Sequence, residues 1–197
     1  MSESRNVVYQ RMGASAGIVA PIVGFICILS AIATYPQFSW TNNALSDLGV
    51  VSGVTESLFN FGLVASGFLA FNFAIFGLFT YFGKSWIGKI GSVVFAAATL
   101  ALIAIGVFNE SFSPTHYLVS VAFFTLAPIS LFILTCAFCF VHERKIAVFT
   151  VLVGVAAALP WLLQFTLNYV PNVAIPEAVS GFVVSMWVIV FGYRMIK

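Results

Sequence analysis

Five acidic or histidine side chains lie in short polar stretches between long apolar runs, and each can accept or donate a proton: Asp47, Glu56, Glu110, His116 and Glu177. No Lys or Arg lies in the short polar stretches that carry them. Carboxylates gathered around one imidazole can bind a polar ligand, transfer protons to a substrate or hold a metal ion. Which of these applies depends on whether the fold brings the five side chains together.

The densest polar cluster lies in residues 40–49, where Asn43, Ser46 and Asp47 alternate with apolar residues at helical spacing. This mixture predicts a short amphipathic element that lies at a membrane interface and ends at Gly49. Such an element would cover one end of a helical bundle. It would also bring Asp47 toward Glu56, Glu110 and His116.

Neutral polar residues within apolar runs extend this candidate site. Gln164 and Asn168 follow Pro160 at intervals of four residues, which places all three on one helix face, and Asn60 lies in another apolar run. Such groups turn toward a neighbouring helix or toward a cavity. The predicted ligand-binding residues are Asn43, Ser46, Asp47, Glu56, Asn60, Glu110, His116, Gln164 and Asn168.

The elements that must position these residues are apolar helices long enough to cross a bilayer. Hydrophobic residues make up 61% of the 197 positions, whereas charged residues make up 7%. Runs of about 20 apolar residues mark membrane spans. They predict an all-α protein of one transmembrane domain, residues 1–197, with six spans and a polar loop at 36–57. The spans are predicted at 13–35, 58–82, 88–108, 117–141, 146–169 and 177–195.

The distribution of charge predicts the orientation of this bundle. The connections between spans alternate in character, so that all eight Lys and Arg residues fall on one side together with Glu3 and Glu143. The other acidic residues fall on the opposite side, giving charges of +6 and −4. Since Lys and Arg concentrate in cytoplasmic loops, both termini are predicted to be cytoplasmic and the protein to be a multi-pass plasma-membrane protein.

A spacing of about sixty residues relates the predicted starts of the second, fourth and sixth spans. Glu56, His116 and Glu177 recur at this interval, each directly after Thr or Pro. Three repeated helical hairpins would produce it, and so would three unrelated hairpins of equal length. Thr and Pro suit helix starts and Glu suits the helix dipole, so Glu56 and Glu177 can also be read as helix starters alone.

Two short motifs resemble those of a known family: LSDLG at residues 45–49, and His116, which follows FNE at residues 108–110. The chain is similar to the archaeal and bacterial membrane proteins catalogued as domain of unknown function 998. The resemblance implies an integral membrane protein with this six-helix topology and implies no reaction. The positions that match the family pattern are Ser46, Asp47, Gly49 and His116.

Three functions remain open from the sequence. The first is an outward-facing polar pocket that binds a lipid head group or a small polar molecule. The second is a structural or accessory subunit that docks on a membrane-protein partner or on copies of itself. The third is a membrane-embedded hydrolase that modifies lipids, with Ser46 or Ser111, His116 and Asp47 as its triad.

Several other functions are disfavoured. The chain also bears a distant likeness to ceramidase-like membrane hydrolases, but its only other histidine, His142, falls on the opposite side, so a three-histidine zinc site is not expected. We expect no metal and no cofactor. No ionisable residue lies near mid-membrane, which disfavours an ion-coupled transporter. The basic residues form no extended patch, so nucleic acid is not an expected partner, whereas membrane lipids are.

Overall fold

Six long helices form the described part of the chain. The computed structural model describes residues 2–197, with side chains from residue 6 onward; Glu3 and Arg5, two of the charges counted above, lie outside the described side chains. The helices are α1 (Ser2–Ala33), α2 (Val54–Asn72), α3 (Trp86–Val107), α4 (Thr115–Phe140), α5 (Arg144–Leu167) and α6 (Ala174–Ile196).

Each of the six helices is long and apolar enough to cross a membrane. Among the described residues there is no β-strand. Large apolar side chains such as Phe61, Leu162 and Phe165 are exposed around the bundle, as expected where lipid replaces water. The prediction of an all-α polytopic bundle is therefore confirmed.

The helix ends differ from the predicted spans because hydropathy marks only the part of a helix that lies in lipid. Thus α1 begins at Ser2 rather than at residue 13, and α2 begins at Val54, inside the loop predicted at 36–57. A π-helical segment, Phe73–Phe79, continues α2. Two 3₁₀ turns, Leu45–Val50 and Glu110–Phe112, interrupt the connections.

The helices are arranged as a ring. Consecutive helices pack against each other, and α6 packs against α1, which closes the ring. We call the end that carries connections 34–53, 108–114 and 168–173 the outer end, and the end that carries both termini the inner end. Asp47, Glu56, Glu110, His116 and Glu177 all lie at the outer end, as the alternation of the connections predicted.

Aromatic side chains fill the bundle toward its inner end. Trp187 on α6 is fully buried and stacks on Phe191 with ring centroids 5.3 Å apart. It also contacts Phe73 edge-on and Phe95 at a tilt, and its indole N–H donates to Thr150 Oγ1 at 2.9 Å. Because the one polar atom of Trp187 has a partner on α5, the ring is held in a single orientation.

Two backbones approach each other closely where α1 meets the π-helical segment. A Cβ placed on Gly13 would lie 2.3 Å from the backbone nitrogen of Gly77, which is far inside van der Waals contact. Only glycine fits at this position. The crossing uses the absence of a side chain to bring two backbones together, as small residues do in membrane bundles.

Candidate functional site

The outer loop is folded around Asp47. Its carboxylate oxygen Oδ2 accepts hydrogen bonds from Asn43 Nδ2 at 2.5 Å and from the backbone N–H of Ala44 at 3.2 Å. Asp47 therefore caps the 3₁₀ turn Leu45–Val50 by bonding back to the residue that precedes it. The predicted amphipathic element is present in this form, with Leu45 and Leu48 buried against the bundle.

This loop is attached to the start of α6. The carbonyl of Asn43 accepts from the N–H of Ala174 at 3.0 Å, and the carbonyl of Thr41 accepts from the N–H of Asn172 at 3.1 Å. The buried carboxylate of Glu177 accepts from the N–H of Leu45 at 2.6 Å. The loop between the first two helices is thereby fixed against the last helix.

A second attachment holds the loop at Gly49. Its carbonyl accepts from Asn60 Nδ2 at 3.0 Å and from Asn109 Nδ2 at 3.1 Å. A Cβ at this position would lie 2.7 Å from the Asn60 side chain, so glycine allows the close approach. Asn109 also donates to Glu56 Oε1 at 3.4 Å.

Behind this loop lies a cavity of about 490 Å³, which we call the polar cavity. Its wall combines the loop with α4, the outer half of α5 and the start of α6. The residues that line it are Ala44, Ser46, Asp47, Glu110, Ser113, His116, Tyr117, Ser120, Val121, Phe124, Thr125, Trp161, Phe165, Asn172, Val173 and Glu177. Four predicted site residues, Ser46, Asp47, Glu110 and His116, are thus brought to one place.

The polar groups of this cavity are partly bonded to one another. Ser46 Oγ donates to Glu110 Oε1 at 2.7 Å. His116 Nδ1 lies 2.7 Å from the carbonyl oxygen of Phe108, which can only accept, so Nδ1 carries the hydrogen. The other ring nitrogen, Nε2, is 3.5 Å from Ser120 Oγ, a distance at the limit of hydrogen bonding. The imidazole is thus oriented by the backbone, with Nε2 toward Ser120, another residue of the cavity wall.

The arrangement of a Ser–His–Asp triad is not observed among the described side chains. Ser46 Oγ is bonded to Glu110, His116 to a backbone carbonyl, and Asp47 to Asn43 and Ala44. A triad requires the imidazole to bridge the hydroxyl and the carboxylate. No group of three or more His, Cys, Asp or Glu side chains in the described part of the chain is arranged to hold a metal ion.

Five of the predicted site residues do not line the polar cavity: Asn43, Glu56, Asn60, Gln164 and Asn168. Asn60 and Gln164 bond instead to the backbone of nearby loops, and Asn168 accepts from Gln164. Gln164 Nε2 donates to the Val170 carbonyl at 2.9 Å and to Asn168 Oδ1 at 3.0 Å, which braces the connection between α5 and α6. The four-residue spacing correctly placed Gln164 and Asn168 side by side at the end of α5, but it did not show which groups their side chains would bond to.

Glu177, Ser120 and Trp161 line the polar cavity and were absent from the predicted site. Glu177 is only 9% exposed, and helical spacing places it on the same buried stripe of α6 as Ser180, Val184 and Trp187. This spacing is visible in the sequence and would have distinguished an inward-facing carboxylate from a helix starter in water. A buried acid on the interior face of a membrane bundle indicates a site.

An apolar cavity of about 170 Å³ adjoins the polar cavity and shares part of its wall. It lies inside the ring, between side chains of α1, α2, α3, α4 and α6, among them Phe25, Leu63 and Leu102. Both cavities are lined by the same four residues at their junction, Ser46, Ser120, Phe124 and Glu177. A polar space and an apolar space therefore meet at the buried carboxylate.

A separate cluster of ionisable groups lies at the inner end. Glu143 accepts from Tyr81 Oη at 2.7 Å and pairs with Arg194 Nη2 at 2.7 Å. Burial, together with the neighbouring Glu143 carboxylate, raises the pKa of the Tyr81 hydroxyl to about 12. Tyr81 therefore stays protonated and donates to Glu143 throughout the physiological pH range, which suits a structural link between the end of the second span, the start of α5 and the end of α6.

The fold and the site together define a polytopic α-helical membrane protein with a polar cavity at one end of a six-helix ring. The chain belongs to the family described as a protein of unknown function (DUF998), which matches residues 18–194. The resemblance inferred from residues 45–49 and His116 is confirmed. Neither the curated proteins nor the solved structures contain a match to this chain.

Proposed function

We propose that the protein binds the head group of a membrane lipid or a small polar molecule in the polar cavity, on the extracytoplasmic side of the plasma membrane. The observation that carries this proposal is the convergence of Ser46, Asp47, Glu110 and His116, from two separate connections and a helix start, on one cavity of about 490 Å³. Clefts of this size with a few convergent polar groups are the usual form of ligand sites.

The position of the opening favours a lipid over a ligand from bulk water. The rim includes Tyr117 on α4 and Phe165 on α5, which are 65% and 77% exposed. The cavity therefore opens between the outer halves of these two helices, on the apolar surface of the bundle. A lipid can enter there sideways while its head group stays at the level of the outer loop.

Binding is tested by thermal unfolding of the detergent-purified chain with fractionated native lipid extracts. We expect at least one fraction to raise the unfolding midpoint of the wild type by roughly 5–10 °C when present well above its dissociation constant. His116→Ala should reduce this shift by at least about half, because the imidazole is a polar part of the cavity wall.

His142→Ala is the matched control, since His142 is exposed at the inner end and lies outside both cavities. Its shift should equal that of the wild type. Identical unfolding curves with every fraction, for all three proteins, would reject a ligand site and would favour an accessory subunit. In that case a membrane-protein partner should co-purify in stoichiometric amount.

The proposed orientation of the bundle in the membrane can be tested separately. In a variant without native cysteines, Ser52→Cys in the outer loop should react with a membrane-impermeant maleimide on intact cells, because the outer end is proposed to face outward. Lys84→Cys at the inner end should react only after permeabilisation. Both positions are exposed, so access to the reagent depends on the side of the membrane alone. The reverse labelling pattern would contradict the proposed orientation.

A further inference from the structure

We infer that the occupant of the polar cavity is a cationic amphiphile: an amine or quaternary ammonium head group, without a phosphate, on an apolar chain. This inference rests on the proposed function and specifies its ligand class. It is carried by three features of the two cavities: their charge, the aromatic residues at the rim, and the apolar space that continues inward.

The charged residues that line the site are acidic. Asp47, Glu110 and Glu177 line the polar cavity, and among the described residues no Lys or Arg lines either cavity. Clustered carboxylates in a confined, weakly polar space attract cations and repel anions. A phosphate or carboxylate head group would enter this space without a positively charged partner, which is costly. A cationic group relieves the mutual repulsion of the carboxylates.

Glu177 provides the second observation, because its side chain is more than nine-tenths buried and only half of its carboxylate is bonded. Oε2 accepts from the N–H of Leu45 at 2.6 Å. Oε1 has no partner among the described residues, and the side chain forms part of the wall of both cavities. An oxygen without a partner on a largely buried side chain in a cavity wall can accept a hydrogen bond from a donor outside the chain.

The rim of the polar cavity adds aromatic faces. Trp161 lies between Phe124 and Phe165, with ring centroids 4.6 Å and 6.0 Å away. All three side chains line the polar cavity. Aromatic rings beside an acidic group favour cations, and quaternary ammonium groups in particular, through the negative charge of the ring faces.

The apolar cavity provides for the chain of the ligand. It begins at Glu177 and Ser46, where the head group would be held, and continues between apolar side chains of five helices. The ligand would therefore place its charge at the carboxylates and its chain inside the ring. A small hydrophilic cation such as an inorganic ion would leave this apolar space unfilled, so an amphiphile fits the pair of cavities better.

The test compares head groups on one common chain. The full chain is purified in dodecyl maltoside, a neutral detergent, and titrated with dodecyltrimethylammonium or with the zwitterionic dodecylphosphocholine while thermal unfolding is followed. We expect a saturable rise in the midpoint with the ammonium compound and little or none with the phosphocholine. Glu177→Gln and Glu110→Gln should each weaken the apparent affinity for the ammonium compound by about tenfold, because each removes one carboxyl group from the cavity wall.

Glu56→Gln is the matched control, a carboxylate at the same end of the bundle that lines neither cavity. Its affinity should equal that of the wild type. If Glu177→Gln does not fold, Glu110→Gln decides the question alone. Equal stabilisation by both head groups, or equal weakening in Glu56→Gln, would overturn the cationic ligand class and leave the proposed function standing. Stabilisation by native lipid fractions but by neither dodecyl compound would also overturn the cationic ligand class and leave the proposed function standing. Failure of every lipid fraction and of both compounds would overturn both.

Discussion

Gly13→Ala is expected to lower the thermal unfolding midpoint by roughly 6–12 °C, corresponding to a loss of about 3 kcal/mol in the free energy of unfolding. The added methyl group would lie 2.3 Å from Gly77 N and 2.7 Å from the Phe76 carbonyl carbon. Both are backbone atoms, so no side chain can rotate away, and α1 must move outward. Unfolding of the purified protein in detergent, followed by circular dichroism, measures the change.

Gly181→Ala is the matched control for this prediction. It adds the same methyl group to a helical glycine on α6, where no atom lies within 4 Å of the added carbon. Its midpoint should be equal to or above that of the wild type, since alanine is the better helix former. An equal loss in both variants would show that the effect comes from glycine replacement in general and not from the crossing of α1 with the π-helical segment.

Trp187→Ala is expected to cost about 3–5 kcal/mol in the free energy of unfolding, the range seen when a large buried aromatic residue is removed. Trp187 is 0% exposed and contacts Phe73, Phe95 and Phe191 at the centre of the core. Its removal also leaves Thr150 Oγ1 without its indole donor. Thermal unfolding, with the intrinsic fluorescence of the remaining tryptophans as a second probe, measures the loss.

Trp86→Ala serves as the comparison for Trp187→Ala, because Trp86 is 69% exposed at the start of α3. Surface substitutions of this kind change stability by about 0.5 kcal/mol or less. A Trp187→Ala protein that unfolds at the same temperature as Trp86→Ala would contradict the assignment of the aromatic cluster as the structural core.

The number of helices could be predicted from the sequence because a bilayer imposes a single strong requirement. A span needs a long apolar run, and such runs are visible without knowledge of any tertiary contact. The exact ends of the helices could not be predicted as well. Helical hydrogen bonding continues past the apolar run, as in α1, which begins at Ser2, and in α2, which begins at Val54.

The candidate site could be predicted only in part. Asp47, Glu110 and His116 share a side of the bundle by the alternation of connections, so their approach follows from topology. The bond between Leu45 and Glu177 joins residues 132 positions apart, and no local pattern encodes it. For Gln164 the local pattern was misleading. Its position on the helix suggested that it lines a cavity, but its side-chain amide bonds to the backbone N–H and carbonyl of Val170. This bonding depends on the path of the loop after α5, which the sequence pattern does not show.

The hydrogen bonds that hold the outer loop imply an order in which the bundle assembles. The loop follows the first helix, yet its backbone groups are held by Asn60 from the first hairpin, by Asn109 from the connection within the second, and by Glu177 from the third. Hairpins emerge from the ribosome in sequence, N-terminal first. The hydrogen bonds of the loop therefore remain incomplete until the last hairpin has entered the bilayer, and only a fully inserted chain has a complete wall around the polar cavity.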